Sequence, residues 1–131
     1  MKTNLLPLLL CLIAIFSGCN SHGFVPTGGK VTFEDGSPLT KGKIAFSTAT
    51  FMAEGTIQPD GTFTLTSLKP GDGLPPGNYQ VTISASETDA NEKTIYLIDH
   101  QFEDPSTTPL TAEVTTEGKN LFDFKVSQPK R

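Results

Sequence analysis

The chain has 131 residues, with ten basic against fourteen acidic side chains and a formal net charge of −4. That balance, without a lysine- or arginine-rich run, excludes a nucleic-acid partner and electrostatic attraction to anionic lipid, and two cysteines make neither a disulfide framework nor a thiolate metal set. Tryptophan is absent while there are 12 glycines and 10 prolines; no long segment keeps a helical apolar period, so short strands joined by turns are expected.

At the N-terminus Lys2 precedes a twelve-residue apolar run, Leu5 to Phe16, and the run stops at Ser17, Gly18 and Cys19. A basic start, an apolar stretch and small residues read as a secretory signal. Twelve residues are too few for a membrane-spanning helix, which needs about 20. Phe16-Ser17-Gly18-Cys19 resembles the lipobox of bacterial lipoproteins, with Phe16 standing where that family usually has leucine. The resemblance implies cleavage between Gly18 and Cys19 and a diacylglycerol on the Cys19 sulfur. Cys11 lies inside the segment to be removed and has no small residue before it. The expected organisation is a signal peptide over 1–18, a lipidated tether over 19–27, one domain over 28–127 and a disordered tail over 128–131. Once cleaved, the chain holds nine basic and fourteen acidic side chains, a net of about −5. Two acyl chains hold a protein stably where one does so only marginally. The eight residues from Asn20 to Thr27 reach roughly 26 Å when extended.

Strand signals then follow in order. Lys30 to Phe33 alternates polar with apolar, and Glu34-Asp35-Gly36-Ser37 reads as a turn with Gly36 at positive φ. Lys43 to Ser47 places Ile44 and Phe46 on one face. Met52 to Ile57 is a weaker strand. Gln58-Pro59-Asp60-Gly61 is a hairpin signal, because Pro59 presets φ and Gly61 tolerates the left-handed region. Thr62 to Thr66 turns Phe63 and Leu65 inward. Leu74-Pro75-Pro76-Gly77 precedes a strand whose inner face carries Tyr79, Val81 and Ile83, with Pro76 and Gly77 suited to the centre of a type II turn.

From Glu87 to Pro109 the alternation lapses. Thr94 to Ile98 reads as a short strand or a lid on the core, and Asp89, Glu92, Asp99, Glu103 and Asp104 surround it. An excursion of this length in a small domain is usually functional or mobile. Leu110 to Thr115 resumes as a strand, and Leu121 to Val126 closes the domain with Phe122, Phe124 and Val126 inward. The expected fold is all-β, a sandwich of about seven strands.

Leu74, Gly77 and Tyr79 together resemble the tyrosine corner of Greek-key sandwiches, in which the phenol bonds to the preceding backbone. More widely, Gly29-Lys30-Val31, Asp35-Gly36-Ser37-Pro38-Leu39, Gly42-Lys43-Ile44, Asp60-Gly61-Thr62-Phe63-Thr64-Leu65 and Leu74-Pro75-Pro76-Gly77-Asn78-Tyr79-Gln80-Val81 resemble the carboxypeptidase regulatory-like domain over roughly residues 28–127. The stretch from Glu103 to Phe124 is similar to small bacterial lipoproteins carrying one such domain. The resemblance implies a prealbumin-like (transthyretin-like) Greek-key sandwich, and it leaves function open.

Catalytic chemistry finds little support. The histidines left after cleavage are His22 and His100, and adjacent Asp99 and His100 rarely orient one another as a triad requires. The transthyretin-fold hydrolases of 5-hydroxyisourate use several histidines and an arginine, whereas the one arginine here is Arg131. Asp99, His100, Glu103 and Asp104 offer ligands within six positions, yet calcium takes six to eight oxygens and the spacing matches no calcium loop. Lys30 and Asn120 sit where related adhesin sandwiches carry an isopeptide crosslink, although Val81 and Ile83 occupy the inward positions its acid would need. No cofactor and no metal are expected, and the chain reads as non-catalytic. Two functional readings stand. One is a lipid-anchored cell-envelope protein of a bacterium with a structural or protein-recognition role, its partners the membrane and envelope proteins or glycans. The other is a carbohydrate or small-ligand module, whose loop would comprise Tyr96, Asp99, His100, Glu103 and Asp104.

Overall fold

Alternating apolar residues produce two facing sheets in the computed structural model, which describes residues 23–117 and 119–130. The strands are β1 Thr27–Phe33, β2 Lys43–Ser47, β3 Met52–Thr56, β4 Thr62–Thr64, β5 Gly77–Ser84, β6 Ser86–Thr88, β7 Thr94–Tyr96, β8 Thr111–Val114 and β9 Asn120–Val126. One sheet has the order β4-β1-β9 and the other β3-β2-β5-β8, while β6 and β7 form a separate hairpin. The all-β sandwich is therefore present. The seven expected strands all form; Thr94–Tyr96 takes the strand alternative open to that segment, and its hairpin partner β6 is the one strand without a counterpart in the sequence reading.

The core lies between the layers. Val31, Phe63, Phe124 and Val126 from one sheet meet Ile44, Phe46, Val81 and Ile83 from the other, all buried. Phe46 is the hub, its ring centroid 6.2 Å from Phe63, 5.7 Å from Phe122, 5.8 Å from Phe124 and 6.3 Å from Tyr79. These separations and tilts suit the aromatic quadrupole. One flank is also stitched, because the backbones of Glu54 and Thr66 exchange hydrogen bonds of 3.1 and 2.8 Å across the seam between the layers.

The turns follow their residue chemistry. Gly61 (φ +86°) closes on Gln58 with a 2.8 Å backbone bond, and Asp60 accepts from the Thr62 amide and hydroxyl at 3.0 and 2.6 Å. The Asp35 carboxylate treats Ser37 in the same way, at 2.9 and 2.6 Å. The expected type II turn at Pro76-Gly77 does not form. Gly77 already belongs to β5, and the Pro75 carbonyl that would close the turn takes the Tyr79 hydroxyl instead.

Register also moves the domain boundary. The sandwich starts before Gly28, since Val25 and Leu74 exchange backbone hydrogen bonds of 2.9 and 3.2 Å and Thr27 is buried. Phe24 packs on Phe51 at 6.0 Å. Residues 24–27, expected as tether, are part of the folded unit. The chain thus enters at the end of the molecule formed by the segments 48–51, 65–76, 115–117 and Lys119. The opposite end carries 34–42, 57–61 and the excursion 85–110, which returns along the flank of β5.

Candidate functional site

The excursion was the segment least readable as regular structure, and it is pinned rather than loose. Its first part is the hairpin β6–β7, in which Ser86 faces Tyr96 and Thr88 faces Thr94. Asp89 caps the turn between them, accepting from the Asn91 and Lys93 amides at 2.8 and 2.9 Å. The Lys41 ammonium reaches Glu87 at 3.1 Å from the β1–β2 connection, an exposed pair of small energetic weight. The chain then turns inward. Ile98 is fully buried, Phe102 nearly so, and the Asp99 amide donates to the Ser127 carbonyl at 2.9 Å. A 3-10 turn over His100–Glu103 follows. The Thr108 hydroxyl finally clips the segment to the Val81 carbonyl at 2.6 Å.

The candidate loop residues divide in two. Asp99 caps the 3-10 turn by accepting from the Gln101 amide at 2.9 Å. Asp104 accepts from the Ser106 amide and hydroxyl at 2.8 and 2.7 Å, and these bonds hold its carboxyl below the usual aspartate range. Both acids are thereby committed to local backbone. Tyr96, His100 and Glu103 do converge. The His100 Nδ1 lies 3.2 Å from a Glu103 carboxylate oxygen, and the His100 ring sits 4.3 Å from the Tyr96 ring in an edge-on arrangement. Among the described residues no group of three or more His, Cys, Asp and Glu is placed to hold a metal ion. The trio is surface: the His100 side chain is 63% exposed and Tyr96 43% exposed. It sets a partly exposed aromatic ring beside one imidazole and one carboxylate.

At the expected corner, Leu74 is fully buried, Gly77 has φ +156°, and the Tyr79 hydroxyl donates to the Pro75 carbonyl at 2.6 Å. Burial raises the Tyr79 phenol above its ordinary value. Asn120 spends both amide atoms on the Thr115 backbone, at 3.0 and 2.8 Å, and faces Thr27, while Lys30 faces Asp123. A Lys30–Asn120 crosslink does not fit that register. Gly18 and Cys19 lie outside the described residues.

One local structure went unread in the sequence. The Asp72 carboxylate gathers the amides of Ser67, Leu68 and Lys69 at 2.8, 3.0 and 3.0 Å. These bonds, that from Ser67 foremost, lower its pKa. The loop that results holds Leu68 out from the surface, 79% exposed. The cue was available in Lys69-Pro70-Gly71-Asp72, a proline-glycine turn followed by a backbone-binding acid. Two open grooves border this half of the molecule. One, of 710 Å³, follows the β3–β4 seam between Lys43, Glu54, Gln58 and Thr64. The other, of 490 Å³, lies at the N-terminal end between Val25, Pro26, Lys119 and Leu121. No family model, no curated protein and no solved structure matches the chain.

Proposed function

We propose that this chain is a non-catalytic lipoprotein of a bacterial cell envelope, anchored through a diacylglycerol on Cys19 and displaying one β-sandwich for a structural or protein-recognition role. The observation that carries the reading is the distance in sequence from Cys19 to the first backbone-paired residue among those described. Val25 is already tied to Leu74 by two backbone bonds, six residues after the cysteine. Fully extended, six residues span roughly 20 Å. A cysteine placed after an apolar segment and small residues, so close to a folded domain, suits a lipid anchor holding that domain beside a membrane. The resemblance to single-domain lipoproteins of the carboxypeptidase regulatory-like type supports the same reading. The committed roles of Asp99 and Asp104 and the open setting of His100 favour recognition over catalysis.

The test is membrane fractionation of the native host with intact-mass analysis of the mature protein. The expected mass corresponds to a chain starting at Cys19 and carrying acyl groups, and Cys19→Ser should release the protein from membranes. A mature protein with a free Cys19 thiol in the soluble fraction would overturn the reading. A second reading rests on Tyr96, whose exposed ring stands beside His100 and Glu103 as a small platform for a sugar or another small ligand. Glycan-array binding abolished by Tyr96→Ala would favour it.

A further inference from the structure

Among the described residues five large apolar side chains are exposed: Met52, Leu68, Ile95, Tyr96 and Leu121. Ile95 and Tyr96 belong to the hairpin. The other three gather at the end where the chain enters. Leu121 faces Gly28, three residues after Val25, and Gly28 in turn faces Thr64. Met52 begins β3 and Leu68 follows β4. The Glu54–Thr66 bridge is antiparallel, so continuing it by two residues leads to both. Leu68 is 79%, Leu121 69% and Met52 57% exposed. The Asp72 carboxylate holds the Leu68 loop in place through three amides, so this leucine is exposed by construction.

Charge is distributed to match. The segments 34–42, 57–61 and 85–110 hold nine of the fourteen acidic side chains and only two lysines, Lys41 and Lys93. The segments 48–51, 65–76 and 115–119 hold Lys69 and Lys119 against Asp72 and Glu117, so they have no net charge. The Asp72 carboxylate is moreover engaged with backbone. An anionic surface repels the first end and tolerates the second.

We infer that the N-terminal end of the sandwich is a membrane-contact surface, with Leu68, Met52 and Leu121 set into the headgroup region of a phospholipid bilayer. The inference rests on the anchor at Cys19. Gly23, the first described residue, lies four positions after that cysteine, a reach of about 14 Å. Because Val25 is locked to Leu74 and Phe24 rests on Phe51, a tether this short brings that particular end to the lipid. Apolar side chains there exchange water for the acyl boundary. The acidic end and the Tyr96 hairpin point away from the bilayer, which fixes the orientation in which a partner meets the domain.

The test places single cysteines at 68, 121 and 95 in the full chain purified from native membranes. Each is labelled with an environment-sensitive fluorophore and reconstituted into phosphatidylcholine–phosphatidylglycerol vesicles containing shallow spin-labelled lipid. Labels at 68 and 121 should shift to the blue and lose most of their emission to the quencher, and the label at 95 should do neither. If position 19 is acylated by mass, equal and weak quenching at all three positions would overturn the orientation alone. A blue shift at 68 and 121 without lipid quenching would do so too, by showing that protein covers this end. A bare thiol at 19 in the same sample would overturn the anchor, and the orientation with it.

Discussion

The Tyr79 hydroxyl donates to the carbonyl oxygen of Pro75, four residues back, at 2.6 Å. The bond spans the Pro76-Gly77 bend where the chain leaves its contact with Val25 and enters β5. It takes the acceptor that a backbone turn would otherwise have used. Tyr79→Phe keeps the buried ring and removes only the bond. The expected loss is about 1 kcal/mol, a fall in Tm of roughly 4–8 °C for a domain of this size. An unchanged melting curve would show that the corner contributes no stability.

The same phenol gives a dependence on alkaline pH. Burial raises its pKa, so the folded state favours the protonated form. The resulting stability is complete below the ordinary tyrosine value of about 10 and is lost as pH rises through the higher folded value. Denaturant midpoints measured from neutral to strongly alkaline pH should fall over that interval. Tyr79→Phe should reduce the fall.

At the acid end the sign reverses. Asp35, Asp60, Asp72 and Asp104 all have lowered pKa values from hydrogen bonds to nearby amides and hydroxyls. Their contribution is present above the unfolded aspartate value of about 3.9 and disappears as pH falls through the lower folded values. Urea midpoints should decline across this range. Asp72→Asn, which replaces the charged acceptor of three amides, should lower the midpoint at neutral pH and flatten the acid decline.

Phe46 joins the layers, touching three phenylalanines of the opposite sheet. It is fully buried. Phe46→Ala should cost about 3–5 kcal/mol, most of the stability of a small domain. Leu68→Ser, on a side chain 79% exposed, should stay within about 0.5 kcal/mol. Urea titration of the two variants separates them.

Gly73 has φ +82°, and a Cβ there would run into the Val25 carbonyl. Gly73→Ala should cost at least about 1–2 kcal/mol from the left-handed conformation alone. It should also weaken the Val25–Leu74 pairing. Faster amide exchange at Val25 and Leu74 would report that loosening.

Strands with strict alternation, such as Lys43–Ser47 and the run Tyr79, Val81, Ile83, could be read directly, because a two-residue period fixes which face is buried. The Gln58-Pro59-Asp60-Gly61 turn could be read for the same kind of local reason. Long-range pairing could not. Nothing within Lys30–Phe33 announces that β1 runs parallel to β9, since periodicity carries no direction. The excursion escaped because its order comes from Ile98, Phe102 and the Thr108–Val81 bond, contacts made with distant strands. The candidate loop was half legible. Tyr96, His100 and Glu103 lie close in sequence and meet, whereas the local roles of Asp99 and Asp104 depend on backbone geometry that spacing does not reveal.

The first strand of the sandwich is paired over its full length with the last, seven residues against seven and parallel. Translation therefore has to deliver the C-terminus before this sheet can close. Afterwards the same arrangement resists pulling. Tension applied between the N-terminal end of β1 and the C-terminal end of β9 would slide the two strands against each other along their common axis. All rungs of that ladder would then share the load at once instead of opening one by one.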